Sequence, residues 1–235
     1  KEFNAHDKAK LLRHGAYKTL STDYSKLIMD AEELGITAVN GLWMLVSQAK
    51  ESAEWFTSST IDNQVIEKIH SNLRRQAENI VLVGMPGCGK STVGKALSKL
   101  CGKRLVDADS EIALYAGMSI PEIFSSKGEI GFRAMETEVL KNLGKESGLI
   151  IATGGGCVTR AENYRHLHQN GTIYWLQRSI DLLPTDGRPL SQQNKLQDLW
   201  QIRQPLYAQF ADGSIDNNGS IEETAAKIME LEARK

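Results

Sequence analysis

A phosphate-binding loop occupies residues 84–91, which read Gly-Met-Pro-Gly-Cys-Gly-Lys-Ser. The pattern G-x-x-x-x-G-K-[ST] indicates a phosphate-binding loop only where it lies between a strand and a helix. Here it follows the apolar run 79–83 and precedes the helix-like stretch 92–100. Its glycines let successive backbone N–H groups face one anion, and the following helix adds its positive N-terminal end. The sequence therefore predicts a bound phosphate group here rather than an ordinary glycine-rich turn.

Two side chains of this loop have defined chemistry in the motif. Lys90 is expected to reach the β- and γ-phosphates of a nucleotide, and Ser91 is expected to place its hydroxyl on Mg²⁺. Cys88 fills a variable position of the pattern. We interpret it as a packed thiol rather than a nucleophile, because phosphoryl transfer through such a loop needs no protein nucleophile.

Composition and charge narrow the classes of function. The 235-residue chain has a formal net charge of −1, so it lacks the overall positive charge that is typical of proteins that bind nucleic acid or membrane surfaces. No apolar run is long enough to span a bilayer, and residues 1–20 lack the apolar stretch of a signal peptide. Cys88, Cys101 and Cys157 are widely spaced, make no metal pattern and are interpreted as reduced thiols. We therefore expect a cytoplasmic protein without a nucleic-acid or membrane partner.

The chain changes character near residues 70–79, which predicts a helical segment over 1–76 and a second domain over 77–235. The apolar spacing before the break predicts helices over 23–34, 42–56 and 61–73. After the break, strands and helices alternate, which indicates a parallel sheet covered on both faces. The five predicted strands are 80–83, 104–106, 149–152, 172–176 and 214–216.

Start signals of the Ser/Thr-x-x-Glu type mark three of the later helices. In such a capping box, two side chains satisfy free N–H groups of the first turn. The three pairs are Ser119 with Glu122, Thr159 with Glu162, and Ser220 with Glu223. A further amphipathic pattern predicts a helix over 129–143.

Candidate site residues follow the predicted strands, because ligands of parallel sheets bind beyond the carboxyl ends of the strands. Asp107 and Asp109 come after the second strand, and the glycine triplet 154–156 comes after the third. Two carboxylates beside a phosphate loop can hold Mg²⁺ or accept a proton from an attacking hydroxyl. The simpler alternatives are a helix cap for the carboxylates and a tight turn for the triplet.

Three arginines are candidates for binding anionic groups. Arg133 lies three residues before Glu136, so the two form either a solvated surface pair or a carboxylate-binding fork over the crevice. Arg188 lies in the turn-prone stretch 186–190, which suits a mobile lid whose arginine meets the γ-phosphate. Taken singly, Arg188 and Arg203 are more typical of surface charge than of a site.

Taken together, these motifs resemble the shikimate kinase family over residues 79–233. The family's motifs occur here in order as GMPGCGKST, DAD, GFRAMETEVL, TGGGCV, GRPL and RQPLYAQFAD. The resemblance implies an α/β fold with a five-stranded parallel sheet of the P-loop nucleoside-monophosphate-kinase type, in three layers, to which the sequence adds an all-helical N-terminal appendage. It also implies that ATP and Mg²⁺ are used to phosphorylate the 3-hydroxyl of shikimate, in aromatic amino-acid biosynthesis.

The resemblance assigns a role to each matching residue. The implied ATP-binding residues are Gly84, Gly87, Cys88, Gly89, Lys90, Ser91, Thr92 and Arg188. The implied metal-binding residues are Ser91 and Asp107. The implied shikimate-binding residues are Asp109, Arg133, Gly154, Gly155, Gly156 and Arg203. Lys90, Asp109 and Arg188 are expected to be catalytic, with Asp109 as the base or orienting group, while Glu136 orients the substrate-binding arginine.

One segment of the domain departs from the family pattern. The segment over residues 177–186 is short. Family members often have a basic residue in this segment that stacks on adenine. Arg178 follows the predicted strand so closely that it is not an obvious equivalent.

Residues 40–57, which include Asn-Gly-Leu-Trp-Met-Leu-Val-Ser-Gln-Ala and Trp-Phe-Thr, resemble the C-terminal end of shikimate dehydrogenase. The segment lacks that family's dinucleotide loop, so we interpret it as a helical remnant or docking element. Self-association or an upstream dehydrogenase portion through residues 1–76 is the functional alternative. For the second domain, the alternatives are a kinase of another small acid such as gluconate and a nucleotide-dependent regulator, against which the Asp107 and Asp109 pair argues.

Overall fold

The computed structural model describes residues 28–31, 34–38, 40–183 and 190–234. The chain divides into two compact units between Gln76 and Ala77. Arg188 and most of the helix predicted over 23–34 lie outside the described residues. Among the helices in these ranges, none has both the length and the apolar character needed to cross a bilayer.

The first unit contains two of the three predicted helices, α1 (Leu42–Thr57) and α2 (Asn63–Ala77). Their apolar faces line a groove of about 390 Å³, to which Leu45, Ala49 and Ile69 contribute. The exposed side of α1 ends in two aromatic side chains that are almost fully open to solvent, Trp55 and Phe56.

The second unit is built on a parallel five-stranded sheet in the order β2-β3-β1-β4-β5. The strands are β1 (Asn79–Val83), β2 (Arg104–Asp107), β3 (Leu149–Ala152), β4 (Gly171–Gln177) and β5 (Gly213–Asp216). Every residue of β1 and of β3 is buried. Because successive side chains of a strand point to opposite faces, both faces of the central strands are covered. The predicted α/β sheet is confirmed, with small differences at the strand ends.

Strand register brings the carboxyl ends of four strands to one edge of the sheet. Leu82 of β1 pairs with Ala152 of β3, and Asp107 of β2 pairs with the same Ala152. On the other side of β1, Val83 pairs with Trp175 of β4. The loops that follow these four strands therefore leave the sheet together, as the sequence predicted.

Six described helices surround this sheet. They are α3 (Lys90–Cys101), α4 (Ala108–Ala116), α5 (Ile120–Leu143), α6 (Glu162–His168), α7 (Leu190–Phe210) and α8 (Ile221–Ala233). Helix α3 packs against the three strands β1, β2 and β3 and against α8, while α6 and α7 pack against β4. The helix predicted over 129–143 is the second half of α5, which bends at Gly128, where φ is 65°.

Two of the three predicted capping boxes are confirmed, those of Ser119 with Glu122 and of Ser220 with Glu223. The third prediction is wrong. Thr159 ends a short 3-10 helix, and its Oγ1 donates a hydrogen bond to the carbonyl oxygen of Gly156 at 2.7 Å. Helix α6 begins at Glu162 without a side-chain cap. The threonine hydroxyl is satisfied by the preceding turn, which is a common alternative to capping.

Candidate active site

The phosphate loop runs from the end of β1 to the first residue of α3. Gly84, Gly87 and Gly89 have φ values of 147°, 79° and 96°, which residues with a Cβ rarely adopt. Lys90 is 9 % exposed, and its Nζ donates to the carbonyl oxygens of Gly84 at 2.9 Å and Met85 at 3.0 Å. No carboxylate in the described part of the chain forms an ion pair with Lys90. Its charge is therefore available to an incoming phosphate.

Ser91 and Asp107 meet at the edge of this loop. The Ser91 hydroxyl donates to Oδ2 of Asp107 at 2.7 Å. The other oxygen, Oδ1, accepts from the backbone N–H groups of Asp109 and Ser110 at 3.1 and 3.3 Å, so Asp107 also caps α4. The capping interpretation thus applies to one oxygen only. Ser91 Oγ and Asp107 Oδ2 are hard oxygen donors beside a phosphate site, which suits Mg²⁺.

Asp109 points toward the glycine triplet. Its Oδ1 lies 2.7 Å from the position that a Cβ of Gly154 would take. Although the side chain remains open to solvent, partial loss of hydration raises the pKa of Asp109, and the negative charge of Asp107 raises it further. The positive charges of Lys90 and Arg133 act in the opposite direction. The carboxylate is thus suited to accepting a proton.

Arg133 and Glu136 form a buried pair rather than the solvated pair that their spacing also allowed. Arg133 Nη1 donates to Glu136 Oε2 at 2.6 Å, and the two side chains are 12 % and 1 % exposed. Burial raises the pKa of Glu136, and the hydrogen bond from Arg133 opposes this. Nε of Arg133 and Oε1 of Glu136 are buried and have no hydrogen-bond partner in the part of the chain that the structure describes. Such unsatisfied buried atoms indicate a place for a polar ligand.

The glycine triplet supplies space rather than backbone freedom, since none of its members has a positive φ. A Cβ on Gly154 would come within 2.7 Å of Asp109 Oδ1 and 3.0 Å of Glu136 Oε1. A Cβ on Gly156 would come within 2.1 Å of Arg133 Nη2. The triplet therefore lets the backbone approach three of the candidate side chains closely. A tight turn alone does not explain this close approach.

The carbonyl group of Gly155 is held by α7. It accepts a hydrogen bond from Arg203 Nη1 at 3.0 Å and another from the hydroxyl of buried Tyr207 at 2.5 Å. The two donors lie one helical turn apart, so they reach the same acceptor. Sequence reasoning missed Tyr207, although the i, i+4 spacing of arginine and tyrosine in RQPLY was an available signal. On its other side, a Cβ of Gly155 would come within 2.7 Å of Pro86 in the phosphate loop.

Two cysteines lie at the crevice as neutral thiols. Burial raises the pKa of Cys88, although Lys90 opposes this effect. Burial raises the pKa of Cys157 to about 12, and its Sγ lies 3.2 Å from Thr153 Oγ1. Neither thiol has the lowered pKa of a reactive nucleophile.

The candidate residues for phosphate, metal and acceptor thus surround one crevice, and the triplet connects their two halves. The exception is Arg188, which lies outside the described residues.

Comparison with known proteins gives consistent matches for the second unit. The family model for shikimate kinase matches residues 86–232, more than half of the chain. A shikimate kinase of Acinetobacter baumannii strain AYE is 42 % identical over 163 residues, which cover 65 % of this chain and 91 % of the relative. A shikimate kinase of Synechococcus sp. strain RCC307 is 44 % identical over 167 residues, which cover 67 % and 83 %.

Solved structures agree with these sequence matches. The shikimate kinase from Acinetobacter baumannii in complex with shikimate superposes with a TM-score of 0.64 at 40 % identity, covering 70 % of this chain and 97 % of the other. The shikimate kinase from Aquifex aeolicus superposes with a TM-score of 0.59 at 31 % identity, covering 66 % and 96 %.

Proposed function

The chain belongs to the shikimate kinase family and transfers a phosphoryl group from ATP to the 3-hydroxyl of shikimate, and we propose that the crevice described above performs this reaction. The observation that carries the proposal is the convergence of two half-sites on the glycine triplet. One half is the phosphate loop with Lys90, which forms no ion pair with any residue that the structure describes. The other half is the group of side chains around the triplet, Asp109, Arg133 and Arg203, which suits a compact hydroxy acid.

We propose that the phosphate loop binds ATP through its backbone N–H groups and Lys90. The two carbonyl contacts that Lys90 makes in this structure can be exchanged for charge-assisted bonds to phosphate oxygens. Ser91 Oγ and Asp107 Oδ2 would hold Mg²⁺, which supplies charge neutralisation on the phosphates.

The acceptor half is proposed to orient shikimate by its carboxylate and hydroxyl groups. Arg133 and Arg203 would bind the carboxylate, because guanidinium groups match its planar geometry. Glu136 holds Arg133 in place, and its Oε1, which has no hydrogen-bond partner among the described residues, lies near Gly154. The backbone of the triplet would contact a hydroxyl.

Proton transfer is proposed to take place at Asp109. As the oxygen of the 3-hydroxyl forms its bond to the γ-phosphorus, the carboxylate accepts the hydroxyl proton and ADP leaves with the electrons of the broken bond. Arg188 is proposed to stabilise the charge on the transferring group from the lid. Catalysis then depends mainly on positioning and electrostatics.

A single comparison tests this function. Release of ADP from ATP and Mg²⁺ should be fast with shikimate and slow with gluconate or without an acceptor. Faster turnover with gluconate would assign the pocket to another acid. ATP binding without turnover on any acceptor would support a regulator instead.

Arg203→Ala is predicted to raise KM for shikimate about tenfold or more with a smaller change in kcat. The variant removes a carboxylate contact made in the ground state, and one charged hydrogen bond typically contributes about 1.5–3 kcal/mol. Tyr207 still holds Gly155, so the loop keeps one of its two bonds to α7. Steady-state kinetics should compare this variant with Arg104→Ala, which removes an exposed arginine paired with Glu146. A loss confined to kcat would contradict the assigned role.

For the first unit, we propose a remnant of the C-terminal end of shikimate dehydrogenase that takes no part in the kinase reaction. The support is sequence resemblance over α1, together with apolar faces that line a groove of about 390 Å³ and two exposed aromatic residues, Trp55 and Phe56. Such a surface suits self-association or contact with an upstream dehydrogenase portion.

A shortened chain that begins at Gln76 is predicted to keep the kinase activity and to lose solubility or an oligomeric state. The reason is that the candidate site residues all belong to the second unit. Shikimate-dependent ADP release and sedimentation of both chains should be compared. If the shortened chain folds but no longer phosphorylates shikimate, residues 1–75 are part of the active enzyme.

We also propose the cytoplasm as the site of the reaction. The three cysteines are free thiols, which is typical of a reducing compartment.

A further inference from the structure

The guanidinium group of Arg178 faces the phosphate loop. Arg178 follows directly after β4, the neighbour of β1 in the sheet. Its Nε donates to the carbonyl oxygen of Leu182 at 3.2 Å, which orients the planar group. Nη1 lies 3.9 Å from the position that a Cβ of Gly89 would take. Gly89 is the N-cap of α3 and immediately precedes Lys90, so a second cation stands beside the phosphate site.

The backbone on either side of Arg178 is fixed to the same loop. The carbonyl oxygen of Gln177 accepts from the N–H of Asn217 at 2.7 Å, and the N–H of Ser179 donates to Oδ1 of Asn218 at 2.8 Å. The buried side chain of Asn217 then donates to the carbonyl oxygen of Cys88 at 2.6 Å. The arginine and the phosphate loop are therefore held by a single set of hydrogen bonds.

The charge of Arg178 has no counter-charge in the described part of the chain. Its side chain is half-buried, and among the described residues its two terminal NH₂ groups make no hydrogen bond and no ion pair. Lys90 is also unpaired among these residues. Two partly desolvated cations at one loop favour a bound anion, because an unpaired charge is costly away from water. A guanidinium can meet phosphate oxygens with two parallel donors.

We propose that Arg178 binds the phosphate groups of the nucleotide, as a second cation beside Lys90. This inference rests on the proposed use of ATP by the loop. It gives a role to Arg178, which lies in the part of the sequence where the chain departs from the family pattern. The contact is assigned to phosphate rather than to adenine, because the guanidinium lies against the N-terminal end of α3.

Calorimetric titration of the full chain with ADP and with inorganic tripolyphosphate, both in Mg²⁺, tests the proposal. Arg178→Met should raise the dissociation constant of both ligands by about tenfold, the lower range for a charged hydrogen bond. Arg178→Lys should recover part of the loss, because it keeps a point charge. Arg160→Met is the matched control, since that arginine is paired with Glu162 and lies in a different loop. The Arg160→Met variant should bind both ligands with the same affinity as the unchanged chain.

Each outcome decides the assignment. An equal loss for ADP and tripolyphosphate supports a phosphate contact. A loss for ADP alone assigns Arg178 to the nucleoside and overturns the proposal, as does unchanged affinity for both ligands. Titration with shikimate checks that the variants are folded, since its affinity should not change. If the unchanged chain binds no ADP, the proposed use of ATP fails first, which separates the two hypotheses.

Discussion

Replacing Lys90 with alanine is expected to lower kcat by about 10²–10³-fold, the usual effect of removing one electrostatic contact to a transition state. The physical reason is that Lys90 Nζ lies in the phosphate loop at 2.9 Å from the Gly84 carbonyl oxygen and has no carboxylate partner in the described residues. Its charge is therefore free to compensate the charge that develops on the transferring group. ADP release with saturating shikimate and ATP measures the effect.

Lys99→Ala is the matched control for this variant. Lys99 lies in the last turn of the same helix, α3, and is exposed. The Lys99→Ala substitution should leave kcat unchanged. If Lys90→Ala turned over at the rate of the unchanged chain while remaining folded, the proposed mechanism would be wrong.

The phosphate loop could be predicted from sequence because its geometry is local. The three glycines at positive φ, the lysine and the following helix are contiguous, so a short pattern determines where the anion binds. The parallel sheet was predictable for a related reason. Alternating strands and helices allow few arrangements, and the carboxyl ends of the strands then meet at one edge.

The acceptor pocket was only partly predictable, because its contacts join distant segments. Spacing left open whether Arg133 and Glu136 form a solvated pair, and the bond at 2.6 Å with Glu136 almost fully buried depends on packing from other elements. Sequence identified the triplet 154–156 as a candidate substrate contact, but it could not show that the triplet also leaves room for side chains from α4 and α5. The hydroxyl of Tyr207 was missed because its acceptor, a carbonyl in that triplet, lies 52 positions away.

Short motifs failed where a nearby group competed for the same side chain. Thr159 matched a capping pattern, yet its hydroxyl bonds to Gly156 and the helix begins later. Arg178 was not predicted to be the family's adenine-stacking residue, because it follows β4 so closely. Its side chain nevertheless turns toward Gly89, because the bond from Nε to Leu182 fixes its direction.

Asp109→Asn is predicted to lower kcat by about 10²–10⁴-fold, the range for loss of general base catalysis, with little change in KM for shikimate. The amide keeps the size of the side chain but cannot accept the hydroxyl proton. Because partial desolvation and Asp107 raise the pKa of Asp109, the acidic limb of kcat/KM should lie above the usual range of an aspartate. A pH profile of the unchanged chain measures that limb.

The same substitution is expected to give a higher melting temperature than the matched Glu111→Gln substitution. Folding raises the pKa of Asp109, so the charged carboxylate destabilises the folded chain at neutral pH, and this penalty disappears as the pH falls below the pKa of the unfolded chain. Asparagine removes the penalty but also removes a favourable negative charge from the first turn of α4. Glu111→Gln removes a charge from that same turn and measures the second effect alone. Melting curves at pH 7 should therefore place Asp109→Asn above Glu111→Gln, while only Asp109→Asn loses turnover. Equal melting temperatures with unchanged turnover would show that Asp109 is an ordinary surface carboxylate. A gain in stability at the cost of activity is the pattern of a residue kept for function.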